Sequence, residues 1–301
     1  MATLGIYPYD FSIKLQDSFR DTKFDAEGIP LQYMKGLGYR YYWITISRYA
    51  LAQHTLFIKT SDEHYRDIFL RVCRWLIERA ETCPHHGMVW YHYFGQPFYK
   101  LTYPWLSGMA QSRSISMFLR AWELTNNERF LGYALKAFIP FSYTVPEGGV
   151  AARFPDGTLG FEEWGTPIPS LSLNGFMACI VGVDELCQIT HDETAVRLLD
   201  YALEGLNNNL ETYDTGYWTR YDLWKPIRLA SWNYHQLHLD WLAIFSQRWH
   251  TPLYDKVAAR WKRYQSSLRS YTRWFIHKVY QKLFIRGIFY TDLPFPYLME
   301  R

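Results

Sequence analysis

Two tyrosines, Tyr221 and Tyr234, stand 13 residues apart, and two adjacent carboxylates, Glu162 and Glu163, precede them beside Trp164. A phenol or a carboxyl group gives or takes a proton readily once burial and neighbouring charge have tuned it. Set among rings, such groups suit proton transfer on a sugar, whose C–H faces stack on aromatic surfaces. Taken singly, the same residues read as core or rim tyrosines and a solvated hairpin end. Their convergence on one predicted surface is what gives the functional reading its weight. Residues expected to help hold a substrate there are Glu162, Trp164, Arg153, Arg220, Trp224, His235, Asn174 and Gln111, with Trp90, Tyr91 and Tyr93. His235 and His238 fall on one helical stretch, and His85 and His86 are adjacent. No third ligand follows at a recognisable spacing, so neither a metal nor another cofactor is expected.

The elements that must bring these residues together are legible as a repeat. Thr60-Ser61-Asp62-Glu63, Thr125-Asn126-Asn127-Glu128 and Thr190-His191-Asp192-Glu193 recur at an interval of 65 residues. Trp249-His250-Thr251-Pro252 takes the equivalent place about 60 residues further on. An apolar helical pattern precedes each (46–55, 115–124, 176–189, 239–249) and another follows (65–80, 130–141, 195–206, 254–268). The Asp or Asn can cap free N–H groups at a helix start, and Glu favours the first turn through the helix dipole. The pattern predicts an all-α fold of about four antiparallel helix hairpins, stacked to bury their apolar faces. Long, aromatic connections between pairs favour an α/α toroid, an incomplete barrel, over an open solenoid.

Three connections follow the second helix of a pair and should emerge at one end. Residues 85–105 are packed with rings; 146–166 contain Asp156-Gly157, which predicts a β-hairpin with a type I′ turn; 212–224 predict a second hairpin about Asp214-Thr215-Gly216. Loops held on a rigid scaffold are where chemistry usually sits. The expected organisation is an N-terminal extension over 1–27, the toroid over 28–268 and a basic, aromatic C-terminal segment over 269–301.

Composition narrows the ligand. Of 301 residues, 19% are aromatic and 20% charged, which excludes a disordered chain, and a mixed net charge of +3 argues against a nucleic-acid partner. The four cysteines show no metal or redox spacing and read as reduced thiols of a cytoplasmic protein. The opening residues read as no export signal, and no apolar run reaches the ~20 residues needed to span a bilayer.

Several short motifs, in order and at similar spacing over roughly residues 28–265, resemble the C-terminal helical domain of the D-glucuronyl C5-epimerases. They are Pro104-Trp105-Leu106-Ser107-Gly108-Met109-Ala110-Gln111, Glu162-Glu163-Trp164 with Thr166-Pro167, Leu173-Asn174-Gly175-Phe176-Met177, Tyr213-Asp214-Thr215-Gly216, Tyr221-Asp222-Leu223 and Trp232-Asn233-Tyr234-His235. The resemblance implies an incomplete α/α toroid that epimerises D-glucuronic acid units of a polysaccharide or lipid-linked glycan to L-iduronic acid at C5. It also implies that Tyr221, Tyr234 and Glu163 are catalytic. Two positions depart from the family: Trp164 stands where it has a tyrosine, and Trp224 where it has an arginine.

In such a reaction a base takes the C5 proton from one face and an acid returns one to the other, so the two tyrosines are expected to flank the sugar ring. The substrate carboxylate needs a cation. With Trp224 unable to serve, Arg220, Arg153 and His235 are the candidates. A uronate lyase of similar fold, or a weakly catalytic protein that binds acidic glycans, are the alternatives. A glycosidase would need two carboxylates on opposite sides of the bond, roughly 5 to 9.5 Å apart. Residues 271–286 alternate basic and large apolar side chains at helical spacing. They predict a helix for a membrane surface, for its own domain or for a second copy in a homodimer.

Overall fold

The computed structural model describes residues 3–15, 19 and 22–284. Four helix hairpins make up most of it: α1 (Trp43–Thr60) with α2 (Glu63–Glu78), α3 (Gly108–Thr125) with α4 (Glu128–Phe138), α5 (Leu173–Thr190) with α6 (Glu193–Asn209), and α7 (Trp232–Trp249) with α8 (Pro252–Ser266). A further helix, α9 (Leu268–Phe284), follows. The repeated turn works as its residues predict. Ser61, Asn126, His191 and His250 each end a helix in the left-handed region, with φ of 58, 51, 53 and 50°. The next residue then starts the partner helix. Asp62, Asn127 and Asp192 cap it by accepting from a backbone N–H at 2.9, 3.1 and 2.9 Å, whereas Thr251 caps α8 without a side-chain bond.

Helices α3 and α5 carry long unbroken buried runs and α1 one interrupted at Arg48, whereas α2, α4 and α6 bury one face. The odd-numbered helices therefore form the inner ring, packed in the order α1, α3, α5, α7, with their even partners outside. Inside the ring the Arg120 guanidinium on α3 meets the Glu185 carboxylate on α5 through two bonds of 2.8 and 2.7 Å. The seam between α1 and α7 is filled by the N-terminal residues, which pack into the ring instead of extending from it. Asp10 pairs with Lys59 of α1. The Gly5 carbonyl accepts from Arg120, and the Leu4 N–H donates to Glu123. Tyr7 and Tyr9 rest on Trp241 of α7, with ring centroids 6.5 and 5.6 Å apart.

Short strands decorate one end. Strands β1 (Lys23–Phe24), β2 (Pro30–Met34) and β3 (Gly38–Arg40) form an antiparallel sheet. Strand β4 (Glu81–Thr82) pairs with β5 (Met88–Val89), and β6 (Ala151–Arg153) with β7 (Leu159–Phe161). The β6–β7 turn differs from the expected type I′. Only Gly157 has positive φ, 87°, and its N–H closes on Phe154 at 2.9 Å. Pro155 holds its own φ negative, so the loop is a type I turn finished by a left-handed glycine. The second predicted hairpin is not a strand pair. Its turn forms, with Gly216 at φ 78°, but the chain then makes only single bridges, Asp214 to Thr219 and Arg220 to Leu229.

Helix α9 packs one side on the loop before α7. Trp274 donates to the Ala230 carbonyl at 3.1 Å, Lys278 to that of Leu229 at 2.6 Å and Gln281 to that of Ile227 at 3.3 Å. Residues 285–301, the rest of the expected C-terminal segment, lie outside the described residues. Among the described residues no helix is long and apolar enough to cross a membrane.

Candidate active site

Three loops at the decorated end are stitched by backbone bonds. The Gly108 N–H donates to the Glu162 carbonyl at 2.8 Å, Leu173 to Tyr221 at 3.1 Å and Leu223 to Ser170 at 2.8 Å. Their aromatic residues form a core of their own, in which Trp164 stacks on Tyr99 at 4.9 Å and tilts against Trp105 at 5.6 Å. Such a cluster fixes the loops at little conformational cost, because rings have few rotamers to lose.

Strand β7 leads directly into the two glutamates, and their environments divide their roles. Glu162 is fully buried and accepts from Ser170 N–H (2.6 Å) and Oγ (2.7 Å), Leu171 N–H (2.8 Å) and Thr166 Oγ1 (3.3 Å). Burial pushes its carboxyl up to about 7 against those donors. It therefore ties the 166–171 loop together and is withdrawn from substrate, contrary to the expectation that it binds one. Glu163 accepts from the Ser172 hydroxyl and, at 3.3 Å, from the Tyr221 hydroxyl. Its side chain lies on the first turn of α5, where a Cβ at Gly175 would come within 2.6 Å of Glu163 Cβ. Glycine there makes room for a carboxylate at the positive end of the helix. Burial raises the Glu163 carboxyl above the usual carboxylate range, opposed by Ser172, Arg113, Tyr221 and Arg228.

Tyr221 is buried and Tyr234, on the first turn of α7, is 39% exposed. Their rings meet edge to face with centroids 4.8 Å apart. The structure thus brings both catalytic candidates to Glu163. It does not have them flank a sugar ring, because rings in contact leave no such gap. Burial, then the charge of Glu163, keeps both phenols protonated above their ordinary range.

The cations differ from those expected. Arg153 bonds its own hairpin turn, to the Gly157 carbonyl at 2.8 Å. Arg220 turns back on its loop, donating to the Asp222 carbonyl at 3.1 Å. His235 is buried between Thr219 Oγ1 at 2.9 Å and the Trp261 carbonyl at 3.1 Å, and burial pushes it down to about 4. The cations beside the cluster are Arg228, Arg113 and Arg48. Arg228 pairs with Asp222 at 2.7 Å and lies 4.2 Å over the Tyr221 ring. Arg113, from α3, rests 4.9 Å over Phe11; Arg48, from α1, rests 5.0 Å over Phe19. Arg113 acts electrostatically on Glu163, and Arg48 on Tyr234. Among the described residues neither Arg48 nor Arg113 has a carboxylate within ion-pair distance, and the Nε of each is buried without a partner. Arg113 also donates to the Ile44 carbonyl at 3.3 Å; two guanidiniums without a carboxylate partner among the described residues can receive an anion. An arginine amid the small and apolar residues of an inner helix was the available sequence signal for both.

Other expected residues serve the scaffold. Trp90 is buried with its N–H on the Leu76 carbonyl at 2.9 Å, and Gln111 holds the Met88 and Ala137 carbonyls at 2.8 and 3.0 Å. Trp164 and Trp224 are buried in the loop core, the latter edge-on to Tyr99 at 5.7 Å, so neither offers an open face. Asn174 is buried beside Gly175 with its Oδ1 unpartnered. Tyr91 is half-buried and Tyr93 exposed, their centroids 6.4 Å apart. Among the described residues no cluster of His, Cys, Asp or Glu could hold a metal ion, and the four cysteines are free and buried.

Comparison with known proteins bears on this geometry. The family described as D-glucuronyl C5-epimerase C-terminus matches residues 85–263, which include Glu163, Tyr221 and Tyr234. A D-glucuronyl C5-epimerase of Caenorhabditis elegans is 34% identical over 193 residues, covering 57% of this chain and 31% of the worm protein. An uncharacterized protein of Methanocaldococcus jannaschii is 28% identical over 159 residues, covering 52% of each. The chain thus spans about half or less of the curated relatives it matches. Among solved structures, a D-mannose isomerase superposes with a TM-score of 0.52 at 12% identity, covering 83% of this chain and 66% of that one. A Listeria innocua protein does so with a TM-score of 0.52 at 13% identity, covering 73% and 59%. At these identities the likeness is one of fold.

Proposed function

This chain belongs to the D-glucuronyl C5-epimerase C-terminal family, and from that premise we propose that it epimerises D-glucuronic acid units of an acidic glycan to L-iduronic acid at C5. The observation that carries the reading is the cluster of Glu163, Tyr221 and Tyr234 beside Arg48 and Arg113, which have no carboxylate partner among the described residues. The C5 hydrogen is acidic only while the adjacent carboxyl group takes up the developing negative charge. Arg48 and Arg113 are the groups that meet that carboxylate, replacing the arginine absent at Trp224. As the Tyr221 oxygen takes the C5 proton, its own hydroxyl proton passes to Glu163, which burial makes a better proton acceptor than an ordinary exposed carboxylate. Tyr234 is the more exposed partner. Its hydroxyl, on the open side of the cluster, is the group that returns a proton to C5. The four buried free cysteines support a reducing, cytoplasmic setting.

Incubation of the protein with a glucuronate polymer in deuterated water tests this. Deuterium at C5 without chain cleavage is the expected result. An unsaturated, ultraviolet-absorbing end would show a lyase instead. Retardation of acidic glycans with no exchange would leave only binding, which Trp164 in the place of a family tyrosine would favour.

A further inference from the structure

Among the described residues helix α9 is held by one side only. Ser270 and Gln281 are buried, and Trp274, His277 and Lys278 reach the loop at 217–231. On the opposite side Leu268, Phe275, Ile276, Val279 and Leu283 are exposed, at 80, 52, 63, 42 and 70%. At 100° per residue these five fall on one stripe. Arg269 and Arg273 run along one edge of that stripe, Arg273 lying 3.9 Å over the Tyr217 ring, and Lys282 along the other, where Lys278 is already held by the Leu229 carbonyl. Residues 268–284 contain no aspartate or glutamate. A stripe of large apolar side chains, cationic on both edges and fixed to a folded domain from behind, is built to lie in an interface that is apolar beneath and anionic at its rim.

We propose that α9 seats the protein on an anionic lipid surface, its stripe among the acyl chains and its flanking cations among the phosphates. The charge pattern selects this occupant over a second copy. A two-fold contact through α9 would bring its cations against the partner's, with no carboxylate on either helix to pair them. The inference is independent of the reaction proposed above, since α9 lies beyond the residues matched by the family and shares no residue with the active site.

The test is flotation of the full chain with vesicles of phosphatidylglycerol and phosphatidylcholine, against vesicles of phosphatidylcholine alone. Binding to the anionic vesicles is expected, falling with added salt. Phe275→Asp with Leu283→Asp should lower the bound fraction by about tenfold or more. Arg269→Glu with Lys282→Glu should lower it and weaken its salt dependence. Circular dichroism and the melting temperature of these surface variants report that the fold is kept. The proposal fails if anionic vesicles do not bind the protein, or if the aspartate variants bind as well as the parent. It fails equally if the stripe variants instead abolish a concentration-dependent dimer seen by light scattering, or if vesicles bind only after residues 285–301 are removed.

Discussion

The sharpest chemical feature of the site is that its buried acids and bases are unequally partnered. Glu162 has four donors, whereas Arg48 and Arg113 have no carboxylate among the described residues. Tyr221→Phe and Tyr234→Phe should each lower C5 exchange by ~10²-fold or more while the fold persists, since each removes one proton station. Exchange retained in both variants would refute their role. Arg48→Met should weaken substrate binding yet raise the melting temperature, because it removes a half-buried charge that burial and Arg113 already disfavour. Unchanged KM for a glucuronate substrate would sink that assignment. Glu162 gives a pH prediction. Its folded carboxyl sits at about 7 against an ordinary 4.5, so the native state holds the extra proton. Stability from this group is complete below about 4.5 and is lost as pH rises through about 7, on the order of 3 kcal/mol. Glu162→Gln can keep the two N–H bonds on its oxygen and reverse the two hydroxyl bonds by donating to them, so denaturation measured across that window should show a flatter profile. Glu163, Tyr221 and Tyr234 were legible in the sequence because each sits in a distinctive local motif. Arg48, Arg113 and Arg228 were not, because their proximity to the cluster is made only by the closing of the ring.

At the scale of elements, the hairpins could be read because the same four-residue punctuation ends one helix and caps the next. Asp62→Ala, Asn127→Ala and Asp192→Ala should each cost ~1 kcal/mol in thermal or denaturant unfolding. Thr251→Ala should cost less, since Thr251 makes no side-chain cap bond. Equal losses at all four would show that the caps are not what sets these turns. The β-hairpins were harder to read. Asp156-Gly157 signalled a turn correctly, but Pro155 one residue earlier decided its type. Around Gly216 the turn formed while the flanking residues took side-chain and tertiary partners in place of a ladder; Asp214, for instance, accepts from Arg260 at 2.7 Å and from the Trp261 ring N–H at 3.0 Å. Local pattern names a turn more reliably than it names the strands beside it, whose pairing depends on what else competes for their groups.

For the whole molecule, the N-terminal residues are part of the ring. Tyr7 is 1% exposed and touches Phe11, Trp241 and the Arg120 guanidinium. Tyr7→Ala should cost about 3 kcal/mol or more, and chemical denaturation compared with the parent would check it. A loss below about 1 kcal/mol would mean that the seam is merely covered. The sequence suggested a separate extension because residues 1–27 lack the helical period of the repeats; an irregular wedge buries its rings without any period to announce it. The wedge also fixes an order of events. Residues 3–15 are synthesised before any helix of the ring, yet Trp241, against which Tyr7 and Tyr9 rest, is made only with the last inner helix. Until then their aromatic side chains have no lasting place. On the ribosome this segment can meet α1 and α3 through Asp10, Leu4 and Gly5, but its tyrosines gain Trp241, and the ring its lock, only when α7 has emerged.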